Sequence, residues 1–195
     1  MNKKILVYIY DDMADFEVTL LCHMLGVDSG YEVITISSDL TVKTSKCGIA
    51  YLPKMTIGDF THSKIKVDGI IIPGGWHFGT NHELSSLLKK LNDDQKLIAA
   101  ICAAPWMLAV SGVLGTHRYT TSIESWSNEQ KSVFGVDNPF DWVYYRDQRV
   151  VVDENIITAK GYAFVDFSIA VCSYLNLFKN DAEIIEFREK ITGIH

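Results

Sequence analysis

The stretch Lys96-Leu97-Ile98-Ala99-Ala100-Ile101-Cys102-Ala103-Ala104-Pro105-Trp106-Met107-Leu108-Ala109 sets the architecture. From Leu97 to Ile101 it has no polar side chain, the pattern of a short strand buried on both faces. Pro105 then stands where a helix begins, a position at which its missing N–H is no loss. Cys102 therefore occupies a sharp strand-to-helix turn, next to unpaired backbone N–H groups and the positive end of a helix. Both stabilise negative charge, so the position is expected to favour thiolate over thiol. The arrangement is similar to the nucleophile elbow of hydrolases, with cysteine in place of serine.

Working outward, strands are predicted over Ile5–Tyr10, Tyr31–Ser37, Val67–Ile72, Val150–Val152 and Ile156–Ala159, with shorter ones at Tyr119–Ser122 and Val143–Tyr145. Helical patterns run from Phe16 to Gly26 or Gly30, with Asp15 as N-cap, and over His82–Leu91, Ser125–Phe134, Phe164–Phe178 and Asp181–Lys190. The segment from Asp39 to Thr61, broken by Gly48, Pro53 and Gly58, reads as an irregular excursion. This alternation predicts an α/β domain around a mostly parallel sheet covered on both faces, with residues 1–195 forming a single domain. In such sheets ligands bind at the carboxyl ends of the strands. Three of those ends are chemically loaded: Asp11, Asp12 and Glu17 follow the first strand, Pro73-Gly74-Gly75 follows another, and Cys102 a third.

The 195 residues are 48% hydrophobic and 22% charged, enough for one sizeable core. A net charge of -6 and no run of Lys or Arg argue against nucleic acid as a partner. The apolar start Ile5-Leu6-Val7-Tyr8 stops at Asp11-Asp12 without a small-residue cleavage site, so it reads as a strand and not a signal peptide. No segment approaches the roughly 18 apolar residues a membrane span requires, and a cytoplasmic protein is expected. Cys22, Cys47, Cys102 and Cys172 are irregularly spaced with no Cys-x-x-Cys pair, which speaks against a disulfide framework or a zinc site. Neither a metal nor another cofactor is expected. Cys22 and Cys172 fall in helical patterns and read as small core residues.

Around Cys102, the N–H of Ala103 is positioned to serve as one oxyanion donor, and Gly74 or Gly75 to supply another, because backbone without side chains approaches a substrate oxygen closely. A carboxyl group near the sulfur would take or return the thiol proton, with its own affinity for protons raised by burial and by the thiolate. On residue chemistry alone, Asp11, Asp12, Asp15 and Glu17 are equal candidates for it. Of the six histidines, His77 follows Gly74-Gly75-Trp76 and is the best placed to reach the site. His82 opens a helix, and His23, His62, His117 and His195 lie in a helix, in polar loops or turns and at the terminus. Trp76, Phe78, Trp106 and Trp126 either wall an apolar pocket or belong to the core.

Four motifs in order carry a resemblance: Asp15-Phe16-Glu17, Ile72-Pro73-Gly74-Gly75, Ala100-Ile101-Cys102-Ala103-Ala104-Pro105, and Val152-Asp153-x-Asn155-Ile156-Ile157-Thr158-Ala159-x-Gly161 followed by Asp166-Phe167-Ser168-Ile169-Ala170. Together they are similar to the ThiJ/PfpI family of the class I glutamine-amidotransferase-like superfamily, over nearly the whole chain. The resemblance implies a flavodoxin-like α/β sandwich, a nucleophilic cysteine at Cys102, a partner glutamate at Glu17, and a homodimer. It also implies an activity among those of the family: intracellular cysteine proteases, glyoxalases or deglycases acting on α-oxoaldehydes, isonitrile hydratases, chaperones and oxidative-stress sensors.

The chain departs from the family at two positions. Protease-like members have a histidine directly after the cysteine, where this chain has Ala103, and another branch has one after Thr-Thr, where this chain has Ser122. A Cys-His-Glu triad is therefore not carried over. The expectation is a cysteine-dependent hydrolase or glyoxalase-like enzyme acting on a small carbonyl, amide or peptide substrate through Cys102, Glu17 and His77. The alternative is a non-enzymatic redox sensor in which Cys102 is oxidised.

Overall fold

The computed structural model describes residues 3–76 and 81–193. Its strands are β1 (Lys4–Tyr8), β2 (Glu32–Ser37), β3 (Lys43–Thr44), β4 (Ala50–Tyr51), β5 (Met55–Thr56), β6 (Gly69–Ile72), β7 (Leu97–Ile101), β8 (Val150–Asp153) and β9 (Ile156–Ala159). Its α-helices are α1 (Phe16–His23), α2 (Ile57–His62), α3 (His82–Asp93), α4 (Pro105–Val110), α5 (Asn128–Phe134), α6 (Phe164–Tyr174) and α7 (Asp181–Thr192). Seven strands form one sheet in the order β5-β2-β1-β6-β7-β9-β8, and β3 pairs with β4 apart from it. All its pairings are parallel except β8 with β9, a hairpin turning at Asp153-Glu154-Asn155 with Glu154 at φ 54°. This is the flavodoxin-like sandwich expected.

β6 and β7 are buried along their whole length, which is why their sequences lack the alternation of a half-exposed strand. From β1 the chain first moves outward to β2, then crosses back to β6 on the other side of β1. Right-handed crossovers consequently put α1 on one face of the sheet and α2 and α3 on the opposite face. α6 packs on α1, and α4 on α3. The reversal between β1 and β6 is a topological switch point, where the carboxyl ends of strands open a crevice.

The structure differs from the sequence reading in several places. Tyr119–Ser122 and Val143–Tyr145 are not strands; they meet in an isolated Tyr119–Tyr145 bridge. Beyond Tyr119 the first segment's N–H groups go elsewhere, the Thr120 N–H donating to Thr158 Oγ1 and the Ser122 N–H to the Cys102 carbonyl. The excursion after Asp39 contains α2, started by a reciprocal Thr56–Asp59 capping box. α5 begins later than expected, at Asn128, because Ser127 and Gln130 form a second such box. α6 stops at Tyr174, before Asn176 turns to φ 56°. Asp15 does not cap α1: its backbone is already helical, and its carboxylate accepts from the Tyr51 hydroxyl at 2.7 Å and from the Cys47 thiol.

Candidate active site

Cys102 follows β7 and has φ 63°, in the left-handed region that a non-glycine residue enters only at a cost of about 1–3 kcal/mol. Neighbouring elements hold it there. Its N–H donates to the Ala159 carbonyl at 2.8 Å, and its carbonyl accepts from the Ser122 N–H and the Thr121 hydroxyl, each at 2.8 Å. The bend turns the half-buried thiol out of the sheet toward the crevice above β1 and β6.

Glu17 arrives from the first turn of α1 and is only 2% exposed. Its Oε2 accepts the Gly74 N–H at 2.7 Å, while the Gly74 carbonyl accepts the Ala14 N–H at 2.8 Å. Tyr10, two residues past β1, donates its hydroxyl to the Pro73 carbonyl at 2.9 Å, a further tie across the switch point. The Glu17 carboxyl and the Cys102 thiol lie side by side, close enough for each to shift the other's hold on its proton. Among the four acidic candidates, Glu17 is the one that reaches the sulfur: Asp11 accepts from the Thr44 N–H, Asp12 pairs with Lys46, and Asp15 is held by Tyr51.

Two glycines make room for the pair. A Cβ on Gly74 would fall 2.5 Å from Cys102 Cβ and 2.8 Å from Glu17 Oε2. A Cβ on Gly161 would fall 2.8 Å from Glu17 Oε1 and 3.0 Å from Cys102 Sγ. Gly161, just after β9, had no role in the residue-by-residue reading. Its signal was its place in the Thr158-Ala159-x-Gly161 motif.

The electrostatics reverse one expectation. Burial pushes the Glu17 carboxyl up to about 7, against the pull of the Gly74 N–H and the thiol. Burial first and the Glu17 charge second push the Cys102 thiol up to about 12, although the Ser122 hydroxyl and the Ala103 N–H favour the thiolate. The N-terminus of a six-residue helix is too weak to offset removal of the sulfur from water beside a carboxylate. The resting group is therefore a thiol next to a carboxyl, and two acids this close do not both ionise near neutral pH. Cys172 in α6 and Cys22 in α1 are also raised by burial, to about 12 and about 11.

A pocket of about 290 Å³ opens at the thiol, lined by Gly75, Trp76, Ala103, Ser122, Glu124 and Phe134 among others. Trp106 is wholly buried in the core, and Trp126 packs on Phe134 and Phe140 behind the pocket. The Gly74 N–H is engaged by Glu17 and so is not free for a substrate oxygen, whereas Gly75 and Ala103 both border the pocket. His77 and Phe78 lie outside the described residues, as does His195. No histidine lines this pocket among the described residues. His23 ends α1, His62 bonds the Gly58 carbonyl, His82 opens α3, and His117 pairs with Asp153. A larger groove of about 700 Å³ between α2 and α3 contains neither Cys102 nor Glu17.

Residues 3–173 match the model of the DJ-1/PfpI family. The chain is 28% identical over 191 residues to the Bacillus subtilis (strain 168) protein named uncharacterized protease YoaZ, covering 92% of this chain and 87% of that one. It is 25% identical over 160 residues to the deglycase PfpI of Pyrococcus furiosus, covering 80% and 89%. A DJ-1 superfamily protein from Agrobacterium tumefaciens superposes with a TM-score of 0.79 at 29% identity, over 96% and 98% of the two chains. The strand order, the switch-point crevice and these matches agree: the chain belongs to the DJ-1/PfpI family.

Proposed function

We propose that the protein is a cysteine-dependent enzyme that forms a covalent adduct between Cys102 and a small carbonyl or amide substrate. The observation that supports this reading best is the pairing of Cys102 with Glu17 at the mouth of a small pocket. The thiol proton passes to the Glu17 carboxylate, the sulfur bonds the substrate carbon, and the C=O electron pair moves to oxygen. The N–H groups of Gly75 and Ala103 stabilise that oxygen, and Glu17 then returns the proton to it. A carboxyl held near 7 suits both directions of transfer at neutral pH.

The pocket size favours a small aldehyde or amide over an extended peptide. Peptide cleavage also asks for protonation of a poor amine leaving group, a task usually given to histidine. The proposed role of His77 in that step rests on its place in the sequence alone. The redox-sensor alternative would use the same thiol, and turnover abolished in Cys102→Ala separates the two readings. We place this enzyme in the cytoplasm as a homodimer; the exposed Phe16, Ile49 and Leu52 are apolar surface that a second copy would cover. Among the described residues no helix is long and apolar enough to cross a membrane.

The test is turnover of methylglyoxal, small amides and peptides by the wild type, Cys102→Ala and Glu17→Gln. Turnover of a small carbonyl or amide that Cys102→Ala abolishes is expected. Turnover that survives Cys102→Ala overturns the assignment of the nucleophile.

A further inference from the structure

Ser122 stands at the same pocket as Cys102, on the segment leading to α5, and its side chain is exposed there. Its backbone N–H donates to the Cys102 carbonyl at 2.8 Å, so the two residues are tied main chain to main chain. Its hydroxyl oxygen accepts the Gly161 N–H at 3.0 Å. Gly161 is the residue whose missing side chain leaves room for Cys102 Sγ and Glu17 Oε1. A serine hydroxyl has one proton and two lone pairs. With one lone pair aimed at Gly161, whose own space borders Cys102 Sγ, the hydroxyl stands beside the sulfur in the pocket wall, where it favours the thiolate.

We propose that Ser122 is a working member of the site, a hydroxyl donor held beside Cys102 by the Gly161 N–H that stabilises the thiolate. The inference rests on the reading of Cys102 as the nucleophile. The sulfur then lies between a proton acceptor, Glu17, and two donors, the Ser122 hydroxyl and the Ala103 N–H. When the thiol proton moves to Glu17, the charge left on sulfur is met by those donors and not by bare protein interior. When the sulfur bonds the substrate carbon it becomes a neutral thioether, a poor acceptor, and this stabilisation ends. Ser122 neither gains nor loses a proton in the step. Its contribution is to the thiolate, the species burial most disfavours.

The test needs no substrate. Alkylation of Cys102 by iodoacetamide is followed by peptide mass spectrometry across pH in the wild type, Ser122→Ala and Ser122→Thr, with exposed Cys47 as an internal control. Ser122→Ala is expected to slow Cys102 labelling at neutral pH about tenfold, the size of one hydrogen bond to a charged group, and to move its pH profile upward. Ser122→Thr, which keeps the hydroxyl, is expected to restore the wild-type profile, and Cys47 is expected to label alike in all three. A wild-type Cys102 profile in Ser122→Ala overturns the proposal, as does equal slowing in Ser122→Thr. Failure of the nucleophile reading shows separately, as substrate turnover that persists in Cys102→Ala.

Discussion

Glu17 Oε2 and the Gly74 N–H meet at 2.7 Å across the gap between β1 and β6, the point where the sheet reverses its strand order. This bond joins the start of α1 to the loop after β6 and sets the carboxyl beside Cys102, just past the next strand. It also takes one of the N–H groups that would otherwise face a substrate, so the glycine pair divides its work. Gly74 holds the acid, and Gly75 borders the pocket.

Activity is expected to depend on pH through Glu17. The carboxyl accepts the thiol proton only when ionised, and burial holds it near 7. kcat/KM should rise from pH 6 to pH 8 and level off, and Glu17→Gln should lower it and remove that rise. A profile in Glu17→Gln that still rises through 7 would assign the ionisation to another group.

Stability is expected to move the opposite way. The folded value of Glu17, about 7, lies above its ordinary 4.5, so between these values the folded state binds more protons than the unfolded state. Stability from this residue is fully present below pH 4.5 and is lost as pH rises through 7, by about 3 kcal/mol. Denaturant unfolding at pH 4.5 and pH 8 should therefore show Glu17→Gln close to wild type at the lower pH and more stable at the higher one.

Gly161→Ala is expected to disable the site without unfolding the protein. The added methyl would press on Glu17 Oε1 and Cys102 Sγ from 2.8 and 3.0 Å, distances that force one of them to move. Turnover should fall by about 100-fold or more, as for misplacement of a reacting group by about 1 Å. The far-ultraviolet circular dichroism spectrum should remain that of the wild type. Full activity in this variant would show that the pair tolerates displacement.

Ile71→Ala is expected to cost about 2–5 kcal/mol, the range for emptying a buried aliphatic site. Ile71 lies in β6, paired with Val7 on one side and Ala99 on the other, and is completely buried. A loss under 1 kcal/mol in urea unfolding would mean that the surrounding core collapses into the space.

Much of the fold was legible because its signals are local. The apolar runs before Pro73 and Cys102 read as buried strands, Pro105 marked the start of α4, and the alternation of strands and helices implied a parallel sheet. The Thr56–Asp59 box that starts α2 went unread, inside a stretch that Gly48, Pro53 and Gly58 made look irregular. The segments Tyr119–Ser122 and Val143–Tyr145 were misread because β-favouring side chains do not create a partner strand. The Thr120 and Ser122 N–H groups found the Thr158 hydroxyl and the Cys102 carbonyl, and Tyr144 and Tyr145 turned back on Asp141 and Trp142.

The sequence by itself determined that Cys102 would stand on a strand-to-helix turn, because the run from Leu97 to Pro105 admits little else. Only the tertiary structure decided the company it keeps and its charge. Glu17, Gly74, Ser122 and Gly161 come from four separate segments of the chain, and their approach depends on strand order and on the room two glycines leave. The helix end beside Cys102 promised a thiolate, yet burial with a carboxyl raised the thiol. Desolvation and charge pairing act through space, and no local pattern along the chain encodes them.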